Sequence, residues 1–327
     1  MTDQYGVLGI GNAIVDVISQ VDESFLEKHE MVKSSMALIE QDTAERIYND
    51  LSTSTRTPGG SAGNTMACFT SFGGNGAYIG KTGKDALGEE FTTGMNDQNM
   101  TFTTQPINND TPTARCMILV TPDAERTMNT YLGAAGFVGP DDIDEDLIKN
   151  AKITYMEGYL FDREESKQAF YKAAKLAKKH GNLVSLTLSD TFCVERYRAE
   201  FFDLVQDHID ILFSNEDEIL ALYETDNLEI ATKQLLKDVK IGIITRSEKG
   251  SIITTEREAI NIDAIPPAQL IDTTGAGDAY AAGFLYGYTE GKPLAECGRL
   301  GSLAASEVIS HIGPRPEKNL AEPSKAA

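Results

Sequence analysis

Between residues 153 and 245 short apolar runs alternate with amphipathic stretches, and this alternation restricts the fold more than any other feature. Ile153–Tyr159, Leu183–Leu188, Ile209–Phe213 and Ile241–Thr245 read as buried strands. Glu165–His180, Arg196–Gln206, Glu216–Tyr223 and Leu228–Leu236 read as the helices around them. The first places Phe170, Ala173, Ala174 and Ala177 on one face. Strands that take turns with helices imply a parallel sheet covered on both faces. Tyr5–Gly9 and Ala77–Gly80 read as further strands, and Ala62–Phe72 as a helix opened by a Pro58-Gly59-Gly60-Ser61 turn. Met36–Glu40 is another strand candidate, and Ala114–Val120 with Arg126–Leu132 reads as a hairpin around Thr-Pro-Asp-Ala-Glu. Such early segments do not fit the alternating pattern. They predict a small β-sheet standing over the main domain as a lid.

The length suits one large α/β domain or two small ones. A formal net charge of −21 argues against nucleic acid and anionic membranes as partners. It also means that any nucleotide site must be locally positive, through backbone N–H groups, Mg²⁺ or single basic residues. Cys68, Cys116, Cys193 and Cys297 form no CxxC pair, so no zinc or redox motif is indicated. Scattered thiols fit a cytoplasmic setting. The apolar opening Val7–Ile18 is flanked by Asp3 and Asp16 with no basic region, unlike a secretory leader. No apolar run approaches the ~20 residues of a membrane span.

The chemistry concentrates in Asp272-Thr273-Thr274-Gly275-Ala276-Gly277-Asp278. An apolar, strand-like stretch precedes it, and small and aromatic residues follow from Ala279 to Tyr288. Strand, glycine turn and helix start together make an oxyanion pocket from backbone N–H groups and a helix dipole. Asp278 inside such a pocket makes sense as a general base that takes a hydroxyl proton during attack on phosphorus. The bland alternative is an acid stabilising a first helical turn.

Four other clusters carry paired readings. Gly59-Gly60-Ser61-Ala62-Gly63-Asn64 permits close approach to a ligand or simply caps a helix. Asn12 and Asp16 follow the first strand, where they hold sugar hydroxyls or form a surface turn. Asn215 and Glu218 share a helix face, suited to Mg²⁺ through water and equally to an N-cap. Arg126 on a lid strand is a solvated cation, or a phosphate clamp if the lid closes. Tyr159 and Phe161 are candidates for stacking on a purine, or core. His311 is placed near the end of the last helix, where a cation is favoured, or against a nucleobase. Gly80-Lys81-Thr82 lacks the first glycine of a P-loop, which would fall on Asn75, and Gly9-Ile10-Gly11 lacks the third glycine of a dinucleotide fingerprint, which would fall on Ile14. The four histidines are dispersed and give no triad.

Taken together these clusters resemble the ribokinase-like (PfkB) family of carbohydrate and nucleoside kinases. Asp272–Asp278 with Ala-Tyr-Ala-Ala-Gly-Phe is similar to its carboxy-terminal signature, Gly59–Asn64 to its amino-terminal one, and Asn215-Glu-Asp-Glu218 to its Asn-x-x-Glu element. Gly80–Gly88 resembles the family segment that follows the first glycine cluster. Gly11–Asp16, Val21–Leu26 and Glu125–Ala135 give the nearer likeness, to its nucleoside kinases. The resemblance implies a three-layer α/β/α fold with a central, mostly parallel sheet, as a single domain over 1–327. It places the lid at about 17–58 and 102–132, and the segment 314–327 is expected to be a flexible tail. It also implies transfer of the terminal phosphoryl of ATP to the 5′-hydroxyl of adenosine, with a fructose- or ribose-like hydroxyl as the alternative. Asp278 would be the base and Gly275, Ala276 and Gly277 the anion hole, with Arg126 clamping phosphate. Asn12, Asp16, Gly60, Ser61 and Asn64 would bind substrate. Thr245, Gly250, Asn215 and Gly277 would bind ATP. Asn215 and Glu218 would order the waters of Mg²⁺, and Asp272 and Thr274 would lie at a K⁺-type monovalent-cation site. The partners implied are a small nucleoside or sugar and ATP, in a monomer or homodimer. One departure stands out: the family often has Thr-x-Gly-x-x-Gly, and Ser247 occupies the first glycine position of Thr245–Gly250.

Overall fold

A computed structural model describes residues 4–123 and 125–321. The chain opens with β1 (Tyr5–Ile10) and crosses into a second sheet as β2 (Ile14–Gln20). There it adds α1 (Glu23–Lys28), β3 (Met36–Leu38), α2 (Gln41–Asp50) and β4 (Thr55–Pro58). It returns through α3 (Ser61–Ser71), β5 (Gly76–Ile79), α4 (Ala86–Asp97) and β6 (Met100–Phe102). A second excursion supplies β7 (Ala114–Val120) and β8 (Arg126–Tyr131). The regular part follows: α5 (Glu145–Lys149), β9 (Ala151–Glu157), α6 (Glu164–His180), β10 (Leu183–Thr187), α7 (Thr191–Arg196), α8 (Arg198–His208), β11 (Ile211–Asn215), α9 (Glu216–Leu222), α10 (Leu228–Asp238) and β12 (Ile241–Thr245). The hairpin β13 (Ser251–Thr255) and β14 (Ala259–Ile262) precedes α11 (Ala276–Thr289) and α12 (Leu294–Val308).

Nine strands form the large sheet in the order β14-β13-β12-β11-β10-β9-β1-β5-β6. Every pairing is parallel except those of β13 with β12 and β14. Alternation along β1 explains the layers. Leu8 and Ile10 face a core built with Phe170 of α6 and Phe201 of α8. Val7 faces the opposite core, with Phe69 of α3, Phe91 of α4, Phe284 of α11 and Leu300 of α12. Both faces are thus covered, as a parallel sheet requires. The small sheet has the order β3-β8-β7-β2-β4. Met117 and Leu119 of β7 pack with Leu26 of α1 and with Ala44 and Ile47 of α2. The other face of that sheet looks into a cleft shared with the large one.

The α/β/α expectation and the hairpin β7–β8 agree with the structure, apart from Ala124 in the turn, which lies outside the described residues. Several local expectations do not. No strand precedes Asp272: residues 263–275 run as a loop, with Leu270 and Ile271 64% and 48% exposed. The antiparallel hairpin β13–β14 has already closed that sheet edge, so the apolar pair has no ladder to join. Arg196–Gln206 is two helices, broken at Tyr197 with φ −124° and ψ 30°. Asp16 sits on β2 rather than in a surface turn, and the small sheet begins at Ile14, earlier than expected. From 314 the chain packs back on the domain as far as 321, with Leu320 only 1% exposed; residues 322–327 lie outside the described residues.

Candidate active site

The cleft between the two sheets encloses about 1410 Å³. A typical small-molecule pocket holds about 300–1,000 Å³, so this space suits two substrates side by side. Its floor is the carboxyl end of the parallel strands, where open α/β sheets collect ligands.

Asp278 lies in the first turn of α11, partly buried and lining the cleft. Ser61 Oγ, at the start of α3, donates to Asp278 Oδ1 at 2.6 Å. Burial pushes the Asp278 carboxyl up to about 7; Ser61 and Asn64 hold it down, and Glu157 and Asp16 push it further up. A carboxylate near neutrality at a helix N-terminus is suited to accept a proton at physiological pH. Gly275 caps α11 at φ +77°, and a Cβ there would meet Pro314 at 2.6 Å, so the turn needs glycine. The Ala276 N–H is committed to Thr273 O at 3.2 Å. In front of Gly277 the space is open, since a Cβ would meet nothing within 4 Å. The helix start is therefore open at Gly277, where first-turn N–H groups have no intrahelical partner.

Asp16 is 6% exposed on β2, and burial lifts it to about 6 against the opposing charges of Arg315 and Arg126. It lies so close to Gly59 that a Cβ there would meet its carboxylate at 2.4 Å. Gly60, with φ +80°, brings the start of α3 against Asn12 O, which a Cβ would meet at 2.2 Å. Asn12 donates through Nδ2 to Glu157 Oε1 at 2.7 Å. One of its two side-chain N–H donors is therefore committed within the protein, and Asn12, held by Glu157, lines the cleft. Glu157 itself is 1% exposed and also accepts from the backbone N–H of Asn12 and of Ala62. It ties the β1–β2 link to the start of α3, and burial lifts it to about 7. Glu157 is not among the site residues expected from the sequence. Its signal was a lone acid ending an apolar strand.

At the other end of the cleft, Asn215 and Glu218 form a reciprocal cap. Asn215 Oδ1 accepts from the Glu218 N–H at 2.8 Å, and Glu218 Oε2 accepts from the Asn215 N–H at 3.0 Å. The capping reading is thus present, and it leaves a carboxylate in the cleft, 5% exposed, that burial lifts to about 7. A buried acid without a cationic partner fits a cation delivered with a ligand. Among the described residues no cluster of three or more His, Cys, Asp or Glu could hold a metal outright. The donor set therefore suits Mg²⁺ that keeps its waters and rides on phosphates. Thr245 and Gly250 line the same end, beside Ala264–Pro267, Ala305 and Ile309.

Asp272 and Thr274, expected at a monovalent-cation site, are hydrogen-bonded to each other. Asp272 Oδ1 accepts from Thr274 Oγ1 at 2.8 Å and Thr274 N–H at 3.2 Å. Asp272 Oδ2 accepts from the Gly313 N–H at 3.1 Å and meets Arg126 Nη1 at 2.5 Å. The guanidinium thus places a positive charge against Asp272. Arg126 is therefore no solvated surface group; it joins the small sheet to the loop of the base. Of the aromatic candidates, Tyr159 lines the cleft, whereas Phe161 stacks on Phe201 at 4.2 Å in the core and is unavailable. His311 Nε2 lies 3.3 Å from Glu307 Oε2 and does not line the cleft.

Ser247 has φ +52° in the turn after β12. It adopts a left-handed conformation that glycine takes without strain. Left-handed backbone costs an L-residue roughly 1–2 kcal/mol, against roughly 0.5–1 kcal/mol of extra unfolded-state entropy for glycine. Ser247→Gly is therefore expected to raise the melting temperature by about 1–3 °C. A comparable fall in a thermal melt would show that the serine hydroxyl makes a stabilising contact.

An open helix start, a near-neutral acid beside it and a two-sheet cleft at the carboxyl end of a parallel sheet fit a phosphotransferase with a hydroxyl acceptor. Residues 19–319 match the pfkB family of carbohydrate kinases, and the chain belongs to that family. Among solved structures, adenosine kinase from Sinorhizobium meliloti is 48% identical with a TM-score of 0.91, covering 99% of this chain and 100% of that one. A probable sugar kinase protein from Rhizobium etli CFN 42 is 46% identical with a TM-score of 0.91, covering 100% and 99%. Adenosine kinase of Saccharomyces cerevisiae is 27% identical over 327 residues, 93% of this chain and 95% of that protein. The chain is thus a kinase of nucleosides or sugars that draws on ATP.

Proposed function

We propose that the protein phosphorylates the 5′-hydroxyl of adenosine at the expense of ATP. The observation that carries this reading is the apolar underside of the small sheet. Ile14, Met36, Leu38, Cys116, Ile118, Met128 and Leu132 line the cleft beside the single carboxylate of Asp16. Met36 and Leu38 are 51% and 50% exposed into it. An all-hydroxyl sugar would leave such a wall unsatisfied, whereas a flat heterocycle attached to a ribose fills it. The likeness to adenosine kinases in both comparisons supports the same choice.

In this reading Asp16, Gly60 and Asn64 hold the ribose hydroxyls, with Asn12 positioned behind them by Glu157. The 5′-oxygen lies beside Asp278 and attacks the terminal phosphorus of ATP. Its O–H proton passes to Asp278 while the new O–P bond forms, and the bond from that phosphorus to the β-phosphate oxygen breaks, releasing ADP. The first-turn N–H groups at Gly277 receive the negative charge that gathers on the transferring oxygens. Thr245 and Gly250 flank the nucleotide, whose base takes the slot between Ala264–Pro267 and α12. Asn215 and Glu218 hold the waters of Mg²⁺, which when bound neutralises phosphate charge. The small sheet acts as a lid, and Arg126 exchanges Asp272 for phosphate as the lid closes.

The deciding experiment is ADP release from MgATP with a panel of nucleosides and hexose or pentose sugars. Adenosine is expected to give the highest kcat/KM. A sugar that outperforms every nucleoside would replace this reading with the sugar-kinase one. Arg126→Ala is expected to lower kcat about 100-fold while the KM for nucleoside stays within about threefold. An unchanged kcat would reduce Arg126 to an ion pair between lid and core.

A further inference from the structure

The chain beyond α12 does not leave the domain. Gly313 and Pro314 pin it to the loop of the base, through the Asp272 hydrogen bond and the contact with Gly275. Further on, Ser71 Oγ donates to Lys318 O at 3.1 Å, and the Leu320 N–H donates to Ser71 Oγ at 3.2 Å. Between these anchors, in Pro314-Arg315-Pro316, an arginine is turned inward. Arg315 Nε donates to Asn64 Oδ1 at 3.1 Å. Arg315 Nη1 and Nη2 are sealed from solvent and have no hydrogen-bond partner. A buried cation with unmatched donors costs stability, so packing gives no reason to keep it there. Its surroundings do. The ionisable groups around it are Asp16 of β2, Tyr78 of β5 and Asp278 of α11.

We propose that Arg315 is a positioning residue for phosphoryl transfer, pinning the amide of Asn64 and holding a fixed positive charge beside the acids of the site. An arginine has only donors, so the atom it meets on Asn64 must be the oxygen. The amide nitrogen is thereby left to face the cleft floor, and Asn64 does help hold the Asp278 carboxyl down against burial. The charge acts on Asp16 in the same direction. Asp16 also faces Arg126 and, from β7, Cys116. Asp278 also faces Glu157, Tyr155, Tyr159 and Cys68. Arg315 and Arg126 are the cations among these groups, and Arg126 moves with the lid in the proposed reaction. Arg315 is the one held by the core.

The inference rests on Asp278 as the base of the proposed reaction, and its test separates the two. Full-length Arg315→Gln and Arg315→Lys are assayed with whichever acceptor the parent phosphorylates best. Arg315→Gln is expected to lower kcat/KM at least tenfold and to move the acidic limb of its pH profile up by about half a unit or more. Arg315→Lys keeps the charge and loses the fork. It is expected to return the limb to its parental position while acceptor KM stays raised about three- to tenfold. Combining it with Asn64→Ala should add less than the two separate losses. Parental kcat/KM and an unmoved limb in Arg315→Gln would overturn the proposal. Should that variant not fold, Arg315→Lys decides alone: a parental KM, or full additivity with Asn64→Ala, would overturn it. If the parent phosphorylates no acceptor, the proposed function fails first. The Asp278 carboxyl can then be titrated by ¹³C NMR in the parent and Arg315→Lys, with Arg315→Gln where it folds. In that case an upward move in Arg315→Gln, or a parental midpoint in Arg315→Lys, supports the charge role, and the reverse result overturns it.

Discussion

Asp278→Asn is expected to turn over about a hundred- to ten-thousandfold more slowly than the parent while binding nucleoside and MgATP within about threefold. An amide keeps the size of the carboxylate and its partner Ser61, so binding geometry survives. It cannot take a proton, and a positioned general base is worth about 10²–10⁴ in rate, or roughly 3–5 kcal/mol of barrier. The parent carries a second signature of the same group. With the carboxyl lifted to about 7, the base is ionised above that pH and protonated below it. The kcat/KM of the parent should therefore fall with acidification below about pH 7, and residual activity of the variant should lack that limb. A kcat within tenfold of the parent would mean that the proton leaves by another route and that Asp278 only orients the hydroxyl.

The second large effect concerns stability. Asp16 rises to about 6, and Glu157, Glu218 and Asp278 to about 7, in each case chiefly through burial. A raised carboxyl pKa in the folded state means that the folded chain binds protons more tightly than the unfolded chain. The associated stability is fully present below the unfolded values near 4. It is lost as pH rises through the window from about 4 to 7. Each unit corresponds to about 1.4 kcal/mol, and partial hydration reduces the whole to a few kcal/mol. The unliganded protein is therefore expected to melt about 3–6 °C higher at pH 5.5 than at pH 8. The net charge of −21 acts in the same sense. Neutralising one member, as in Glu218→Gln, should shrink the difference. Equal melting temperatures at the two pH values would show that water reaches these carboxylates freely.

The regular half of the molecule was readable because each strand there is buried on both faces and each helix on one. Ile241–Thr245 is the strand expected, to the residue. The glycine runs around Gly60 and Gly275 were readable because positive φ and close approach leave so few residue types. What escaped reading depends on partners far along the chain. Leu270 and Ile271 look like strand until β13–β14 is seen to occupy the sheet edge. β2 was hidden because its apolar pattern continues that of β1 across Gly11–Ala13, and only the change of sheet separates them. Glu157 and Arg315 act through residues about 95 and 251 positions away, which no local pattern records. The ion pair of Asp272 with Arg126 escaped reading for a similar reason, because Arg126 arrives there from another sheet.

In the proposed reaction the grip on the acceptor belongs to Asp16, on β2 of the small sheet, and the removal of its proton to Asp278, on α11 of the main domain. A hydroxyl gripped by one part is thus presented to a base carried by the other. A water molecule gets no such grip, so ATP resting in the cleft is expected to be spared from idle hydrolysis, and ADP formation without acceptor should stay near background.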